Sequence, residues 1–450
     1  MTLSLFALTA SARHHLEFLL HLAERSAVSD TLFAAPPLAR ASEGYYAMPP
    51  KKKDEPEEAV GAARFGRVRN NLKMGVVGLP NVGKSSLFNL LTDQSIAAEN
   101  FPFCTIEPNE ARCAVPDERY DFLCNMWKPP SEYPAYLHVT DIAGLVRGAA
   151  EGAGLGNDFL SHISAVDGIF HVVRAFDSEE VIHVDDSVDP VRDLETIQAE
   201  LCAKDMQYLK KAVEQEKLDV KKNPTMKLSA LFISTMDKVE EMLTNNLPIR
   251  NGEWTTPEVL MIKEKLGRLI TTKPIVYLVN LSKKDFIRKK NKWLVKIHTW
   301  IKEHGGGVMI PFSVEFEQEL WDVREDVDAT KAFLDSVEGA KSALPKMVVQ
   351  GYKELNLIYY FTAGEKEVRC WTLYEGSLAP QAAGVIHSDF ERGFIKAEVV
   401  AFDDFKALAK GKGMAEVKAA GKYRQEGKTY VVKDGDIIHF QFNVTAQKKK

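Results

Sequence analysis

Cysteine is scarce here: five residues in a chain of 450, with no Cys-x-x-Cys pair among them. Cys104, Cys113, Cys124, Cys202 and Cys370 are too few and too scattered for a disulfide framework or a thiolate metal centre. They read as free thiols in a reducing compartment, and the expected location is cytoplasmic. Long apolar runs are also missing, and nothing approaches the length of a bilayer-spanning helix. A soluble protein with no membrane partner follows. A net charge of -5 excludes a general polyanion-coating protein and leaves room only for local basic patches. The apolar start from Leu3 to Leu8 has no basic residues before it, which tells against a secretory signal, and Glu17, Glu24 and Asp30 tell against a transit peptide. Residues 1–70 read as a disordered N-terminal extension, with the charged run Asp54-Glu55-Pro56-Glu57-Glu58 inside it.

What is present is concentrated after that extension. The apolar run Met74-Gly75-Val76-Val77 leads into Gly78-Leu79-Pro80-Asn81-Val82-Gly83-Lys84-Ser85, and Ser86-Leu87-Phe88-Asn89-Leu90-Leu91 continues as a helix. Strand, phosphate loop and helix are in the order that phosphate binding requires. Gly78 and Gly83 let the backbone turn its N–H groups around a phosphate at the positive end of the helix. Lys84 supplies a charge for the outer phosphates, and the Ser85 hydroxyl a ligand for Mg2+. Val82 and Ser86 belong to the same cradle. Asn81 is placed to help coordinate a monovalent cation, so stimulation by K+ is a further expectation. The chain therefore binds a nucleoside triphosphate.

Two later segments read as switches. Asn100-Phe101-Pro102-Phe103-Cys104-Thr105-Ile106 is too rich in proline and polar residues for a regular element, and Thr105 is the candidate second hydroxyl ligand of magnesium. Tyr136-Leu137-His138-Val139-Thr140 alternates as a strand and ends in Asp141-Ile142-Ala143-Gly144. Asp141 is suited to a magnesium-bound water and the Gly144 N–H to a γ-phosphate, whose loss releases both loops. Leu145 stands where many switch GTPases carry the glutamine that orients the attacking water. His183, in an apolar stretch, is a candidate for that task, with a packed core histidine as the plainer reading. His171, inside a buried-strand pattern, reads as structural.

These three motifs together resemble the Obg-like ATPases, also called the YchF family, and the likeness runs from about residue 64 to 444. It implies a switch domain with a hydrophobic residue in place of the catalytic glutamine, and ATP in preference to GTP despite a GTPase-like fold.

The base should be chosen at Asn280-Leu281-Ser282-Lys283-Lys284-Asp285, after the strand Pro274-Ile275-Val276-Tyr277-Leu278-Val279. A GTPase carries Asn-Lys-x-Asp there, and its aspartate accepts from guanine. Lys283 takes that place and has donors only. Each guanine donor left unpaired costs about 1–3 kcal/mol, so GTP should lose at least about tenfold. Asn280 and the Leu281 backbone remain for adenine, and Ser313, after Ile310-Pro311-Phe312, fits the last base-side loop. The similar proteins carry glutamate where this chain has Lys283.

The expected fold class is α/β: a G-domain-like P-loop NTPase sheet, a helical coiled-coil insertion and a C-terminal β-grasp TGS domain. Residues 71–200 and 273–345 form the two parts of the nucleotide domain, and 201–272 the helical insertion; the helical pattern leading into it starts at Asp189-Pro190, a good cap, and Val191, Leu194, Ile197, Leu201, Leu209 and Val213 share a face. Residues 355–444 form the TGS domain, with strands at 358–362, 368–373, 397–400 and 437–442, and 445–450 a basic tail. In similar proteins such domains are associated with RNA and ribosome contact. Arg392, Lys396, Lys422 and Arg424 are candidates for phosphates, with solvated surface charge as the alternative. The leading expectation is a P-loop ATPase, a magnesium-dependent ATP-hydrolysing switch whose partner is the ribosome, ribosomal RNA or another translation component. The alternatives are a nucleotide-gated RNA- or ribosome-binding protein with incidental slow hydrolysis, and a GTPase.

Overall fold

The computed structural model describes residues 64–98, 109–142, 162–178, 181, 183, 187–223, 227–337, 339–409 and 414–443. Thr105, Gly144 and Leu145, on which much of the switch reading rests, lie outside the described residues, as do residues 1–63 of the extension and the tail.

In chain order, β1 (Lys73–Val77), α1 (Lys84–Ala98), β2 (Glu110–Ala114), α2 (Glu118–Trp127), β3 (Ser131–Tyr133), β4 (Tyr136–Asp141) and β5 (Gly168–Arg174) come first. Three helices follow, α3 (Pro190–Lys222), α4 (Ala230–Thr244) and α5 (Thr256–Lys265). The chain returns as β6 (Ile275–Asn280), α6 (Lys283–Ile287), α7 (Leu294–Glu303), β7 (Val308–Phe312), α8 (Val314–Asp322), α9 (Val327–Ser336) and α10 (Leu344–Glu354). It ends with β8 (Leu357–Ala363), β9 (Glu367–Tyr374), α11 (Ala379–Ile386), α12 (Ser388–Arg392), β10 (Phe394–Val400), α13 (Phe402–Leu408), α14 (Met414–Ala419), β11 (Arg424–Glu426) and β12 (Ile437–Phe442).

The first sheet has the order β2-β4-β1-β5-β6-β7, parallel except for the antiparallel pairing of β2 with β4. Every residue of β5 and β6 is buried, as expected for parallel strands covered on both faces. β1 lies between β4 and β5, and the strand order reverses beside it: the chain runs from β1 to β2 and β4 on one side, then crosses to β5 on the other. The crevice at the carboxyl ends of these strands is where such sheets bind ligands, and the Gly78–Ser85 loop opens there.

The three helices between β5 and β6 form an arm rooted in the sheet. Asp189 caps α3 by accepting from the Val191 and Arg192 N–H groups, with Pro190 in the first turn. Leu194, Ile197 and Leu201 pack into the main core. Farther along the same unbroken helix, Cys202 and Leu209 join Phe232, Met236, Val239 and Ile262 in a separate cluster. The core therefore changes hands within one helix.

The second sheet has the order β11-β10-β12-β8-β9-β3. β12 pairs with β8 in parallel, as the last and first strands of a β-grasp do, and α11 packs on one face. Side chains of β8 alternate between two cores: Leu357, Tyr359 and Phe361 enter the main core, while Ile358 and Tyr360 enter the cluster under α11. This sheet is larger than the four strands expected. β11 was too polar to stand out. β3 is supplied by the nucleotide half of the chain and pairs in parallel with β9 through Ser131↔Glu367 and Tyr133↔Arg369. The junction is clamped by Arg119 of α2, which bonds Asp117 at 2.7 Å and Asp434 at 2.8 Å and lies over the Tyr359 and Phe361 rings. Gly435 permits the approach, since a Cβ there would sit 2.3 Å from the Arg119 guanidinium.

Candidate functional site: a phosphate loop facing a base-side loop

The phosphate loop is held open by its own backbone. Asn81 has a φ of 61° and Gly83 a φ of +99°. A Cβ at Gly83 would lie 2.6 Å from Asn280 Nδ2, and one at Gly78 would lie 2.5 Å from the Val172 carbonyl. Both positions require glycine. Leu79 and Val82 are buried and anchor the loop, while Ser85 and Ser86 are exposed at the start of α1.

Lys84 is only 8% exposed, and its Nζ donates to the Leu79 carbonyl at 2.7 Å. Burial lowers its pKa to about 8, opposed by the charge of Asp141. The Ser85 hydroxyl donates to Asp141 Oδ2 at 3.4 Å, so the two polar groups assigned to the cation share one corner. Asp141 Oδ1 is buried and has no hydrogen-bond partner among the described residues. Burial also raises the Asp141 pKa, with Lys84 opposing. An orphaned carboxylate oxygen beside a serine hydroxyl fits a hydrated divalent cation, which would relieve that desolvation.

The structure brings Asn280 to the phosphate loop from across the sheet. Its Nδ2 donates to the Val82 carbonyl at 3.0 Å, and its Oδ1 accepts the Val314 N–H at 3.1 Å. The Leu281 N–H donates to the Phe312 carbonyl at 2.8 Å. Both ends of the Asn280 amide and the Leu281 N–H are thus engaged by the scaffold, while the Leu281 carbonyl accepts no hydrogen bond from the described residues. Ser313 is fully buried and caps α8, its Oγ accepting the Phe316 N–H at 3.4 Å.

Lys283 begins α6. Its N–H donates to Glu315 Oε2 at 3.2 Å, while its ammonium bonds Glu319 at 2.5 Å and sits 5.1 Å from the centre of the Phe333 ring. Glu315 and Glu319 lie one turn apart on α8, so the lysine side chain runs along that helix away from its N-terminus. Sequence reasoning had no signal for Glu319 or Phe333, because the contact spans separate elements. Asp285 is engaged by Asn291 Nδ2 at 2.7 Å.

His183 is buried, and its Nε2 is 3.0 Å from Asp193 Oδ2 on α3. This pair attaches the segment after β5 to the base of the arm, which is a scaffold arrangement. His171 is buried in β5 against Tyr277, and burial pulls its pKa down to about 3.

Comparison with known proteins agrees with this geometry. Residues 73–210 match the family profile described as 50S ribosome-binding GTPase. Residues 357–443 match that of the YchF GTPase C-terminus, described as a protein of unknown function. The chain is 53% identical over 403 residues to an Obg-like ATPase 1 of Oryza sativa subsp. japonica, covering 90% of this chain and 100% of the relative. It is 49% identical over 409 residues to that of Homo sapiens, again covering 90% of this chain and 100% of the relative. The Schizosaccharomyces pombe YchF GTPase structure superposes with a TM-score of 0.74 at 46% identity, covering 84% of this chain and 100% of that one. Phosphate loop, arm and C-terminal sheet in this order, with relatives of half-identical sequence along nine-tenths of the chain, place this protein in the Obg-like ATPase (YchF) family.

Proposed function

We propose that the protein is a magnesium-dependent ATP hydrolase that works as a switch, its nucleotide state governing how the arm and the C-terminal sheet engage the ribosome or ribosomal RNA. The observation that carries ATP over GTP is the fate of Lys283. The position that should accept from guanine holds an ammonium drawn onto Glu319 and Phe333, and the nearby Glu315 carboxylate is committed to the Lys283 N–H. The Leu281 carbonyl, in contrast, is an acceptor of the kind the exocyclic amine of adenine needs.

In this reading the N–H groups of Asn81–Ser86 and the Lys84 ammonium hold the phosphates. Ser85 and Thr105 would hold Mg2+ and Asp141 a water bound to it, and the ion would supply charge neutralisation for the outer phosphates. Gly144 senses the γ-phosphate, and Asn81 would assist K+. Lys84 gives up its bond to the Leu79 carbonyl when phosphate arrives, and the rigid Asn280 bridge keeps the loop from following it. The name of the nucleotide-domain profile supports the ribosome as partner, and the cytoplasm as location accords with it. A nucleotide-gated binding protein with incidental hydrolysis is favoured by one feature, the leucine at 145 in place of a water-orienting glutamine.

The test is calorimetric titration of ATP and GTP with magnesium, followed by single-turnover hydrolysis with and without ribosomes. Tighter binding of ATP and a ribosome-stimulated rate are expected. Tighter GTP binding would defeat the base assignment, and a rate indifferent to ribosomes would favour the binding module.

A further inference from the structure

The stretch 163–167 lies between the Asp141-x-x-Gly144 motif and β5, and one ammonium grips it. Lys273 Nζ donates to the carbonyls of Ile163 at 2.7 Å and Ser164 at 3.0 Å, and also to that of Val166. A helical turn occupies 162–165, so this is a cation placed on the carbonyls at a helix C-terminus. Lys273 is not on the nucleotide sheet. It sits on the segment by which the arm returns to β6, and the residues just before it are fixed to the arm. Asp205 of α3 accepts the Ile270 N–H at 2.9 Å, the Thr271 N–H at 2.7 Å and the Thr271 hydroxyl at 2.6 Å. Asp205 is 1% exposed and lies just beyond the point where α3 leaves the main core for the arm's own cluster.

We propose that Lys273, Thr271 and Asp205 form a relay through which the nucleotide state at Asp141 reaches the helical arm. The proposal rests on the switch reading given above and names the residues that transmit it. Ile142, next to Asp141, and Val166 of the gripped stretch both lie over Gly75 of β1, and from the stretch 163–167 to α3 there is no slack. Three carbonyls converge on one ammonium, a single residue, Thr272, separates Lys273 from Thr271, and Thr271 meets a buried carboxylate by both backbone and hydroxyl. A displacement of the stretch 163–167 is therefore passed to α3 or must break buried hydrogen bonds. Burial lowers the Lys273 pKa to about 8 and raises that of Asp205 to about 6, so both ends of the relay are withdrawn from solvent. Arg67 also contacts the stretch, through the Ala165 carbonyl at 2.9 Å and Asp167 at 2.7 Å.

Lys273 and Thr271 are positioning residues. The readout is hydrogen–deuterium exchange of the full chain over residues 205–222 of α3, with and without the magnesium complex of the nonhydrolysable analogue AMP-PNP. In the wild type the analogue changes protection in this segment. Lys273→Met should bind AMP-PNP within about twofold of wild type, because the residue is remote from the phosphate loop. Its arm response should shrink by roughly fivefold or more. Thr271→Val keeps the lysine cap and removes only the hydroxyl bond to Asp205, so a cap with no transmitting role predicts no effect from it, whereas the relay predicts a weakened arm response. An arm response in Thr271→Val equal to wild type overturns the relay, even if Lys273→Met fails to fold. Failure of the wild type to bind AMP-PNP at all would instead overturn the ATP reading on which the relay rests.

Discussion

Asn280 donates from its side-chain amide to the Val82 carbonyl at 3.0 Å, joining the end of β6 to the phosphate loop, and the same side chain accepts the Val314 N–H at 3.1 Å. One buried amide thus fixes the phosphate loop to the base-side loop and to the start of α8. Asn280→Ala should leave the Val82 carbonyl and the Val314 N–H without partners, at about 1–3 kcal/mol for each buried group. The expected outcome is a lower melting temperature and ATP affinity reduced by roughly tenfold or more. Calorimetry on the purified variant measures both, and an affinity equal to wild type would show that the loop holds its shape without the bridge.

Lys84 makes phosphate binding depend on pH. Burial places its pKa at about 8 in the nucleotide-free protein, and a bound triphosphate favours the ammonium and raises that value. Below pH 7 the lysine is charged in both states and affinity is level. As pH rises through 8 the free protein loses its proton while the complex keeps it, so affinity should fall, with a limiting slope of about tenfold per unit. Binding above pH 8 should also take up a proton, detectable as a binding enthalpy that varies with the ionisation enthalpy of the buffer. Lys84→Arg should abolish the slope, since arginine stays charged throughout.

Glu317 of α8 sets a second pH dependence, this time of stability. Its carboxyl is buried, accepts from the Ser342 hydroxyl and the Ala343 N–H at 2.7 Å each, and has its pKa raised by burial from 4.5 to about 7. A carboxyl raised by folding binds its proton more tightly in the folded state. Its contribution is therefore full below pH 4.5 and is lost as pH rises through 7. The loss amounts to at most about 3 kcal/mol. Glu317→Gln should flatten the decline between those limits in denaturant unfolding, and a slope unchanged in the variant would assign the decline to other groups.

The nucleotide sheet was legible because its signals are local. A phosphate loop between a buried strand and a helix, Asp141 at a strand end and Asp189-Pro190 at a helix start each carry their meaning within a few residues. What escaped the sequence is non-local. Ser131–Tyr133 has neither length nor alternation, and only the fold shows it completing the C-terminal sheet beside Arg369. Asn280 reads as a base-side residue, but that its amide bridges Val82 and Val314 has no signal in the sequence. Lys273 has no motif around it, and its three carbonyl partners lie more than a hundred residues earlier. Lys283 was legible as a departure from the guanine motif, but its engagement by Glu319 was not.

That engagement sharpens the prediction for base choice. Lys283→Asp would return a carboxylate to the position that reads guanine, where it can accept from both the ring N–H and the exocyclic amine. The substitution leaves Glu319 without its ion pair, but that side chain is 44% exposed and the loss should stay within about 1 kcal/mol. The fold should therefore survive, and any change in nucleotide preference can be read directly. GTP affinity should rise by roughly tenfold relative to ATP, the worth of one restored acceptor facing donors that were unpaired. Competition of GTP and ATP for one labelled nucleotide, in wild type and variant, measures the ratio. A ratio that does not move would mean that residue 283 lies outside reach of the base, and that the choice between purines is made by the Leu281 backbone alone.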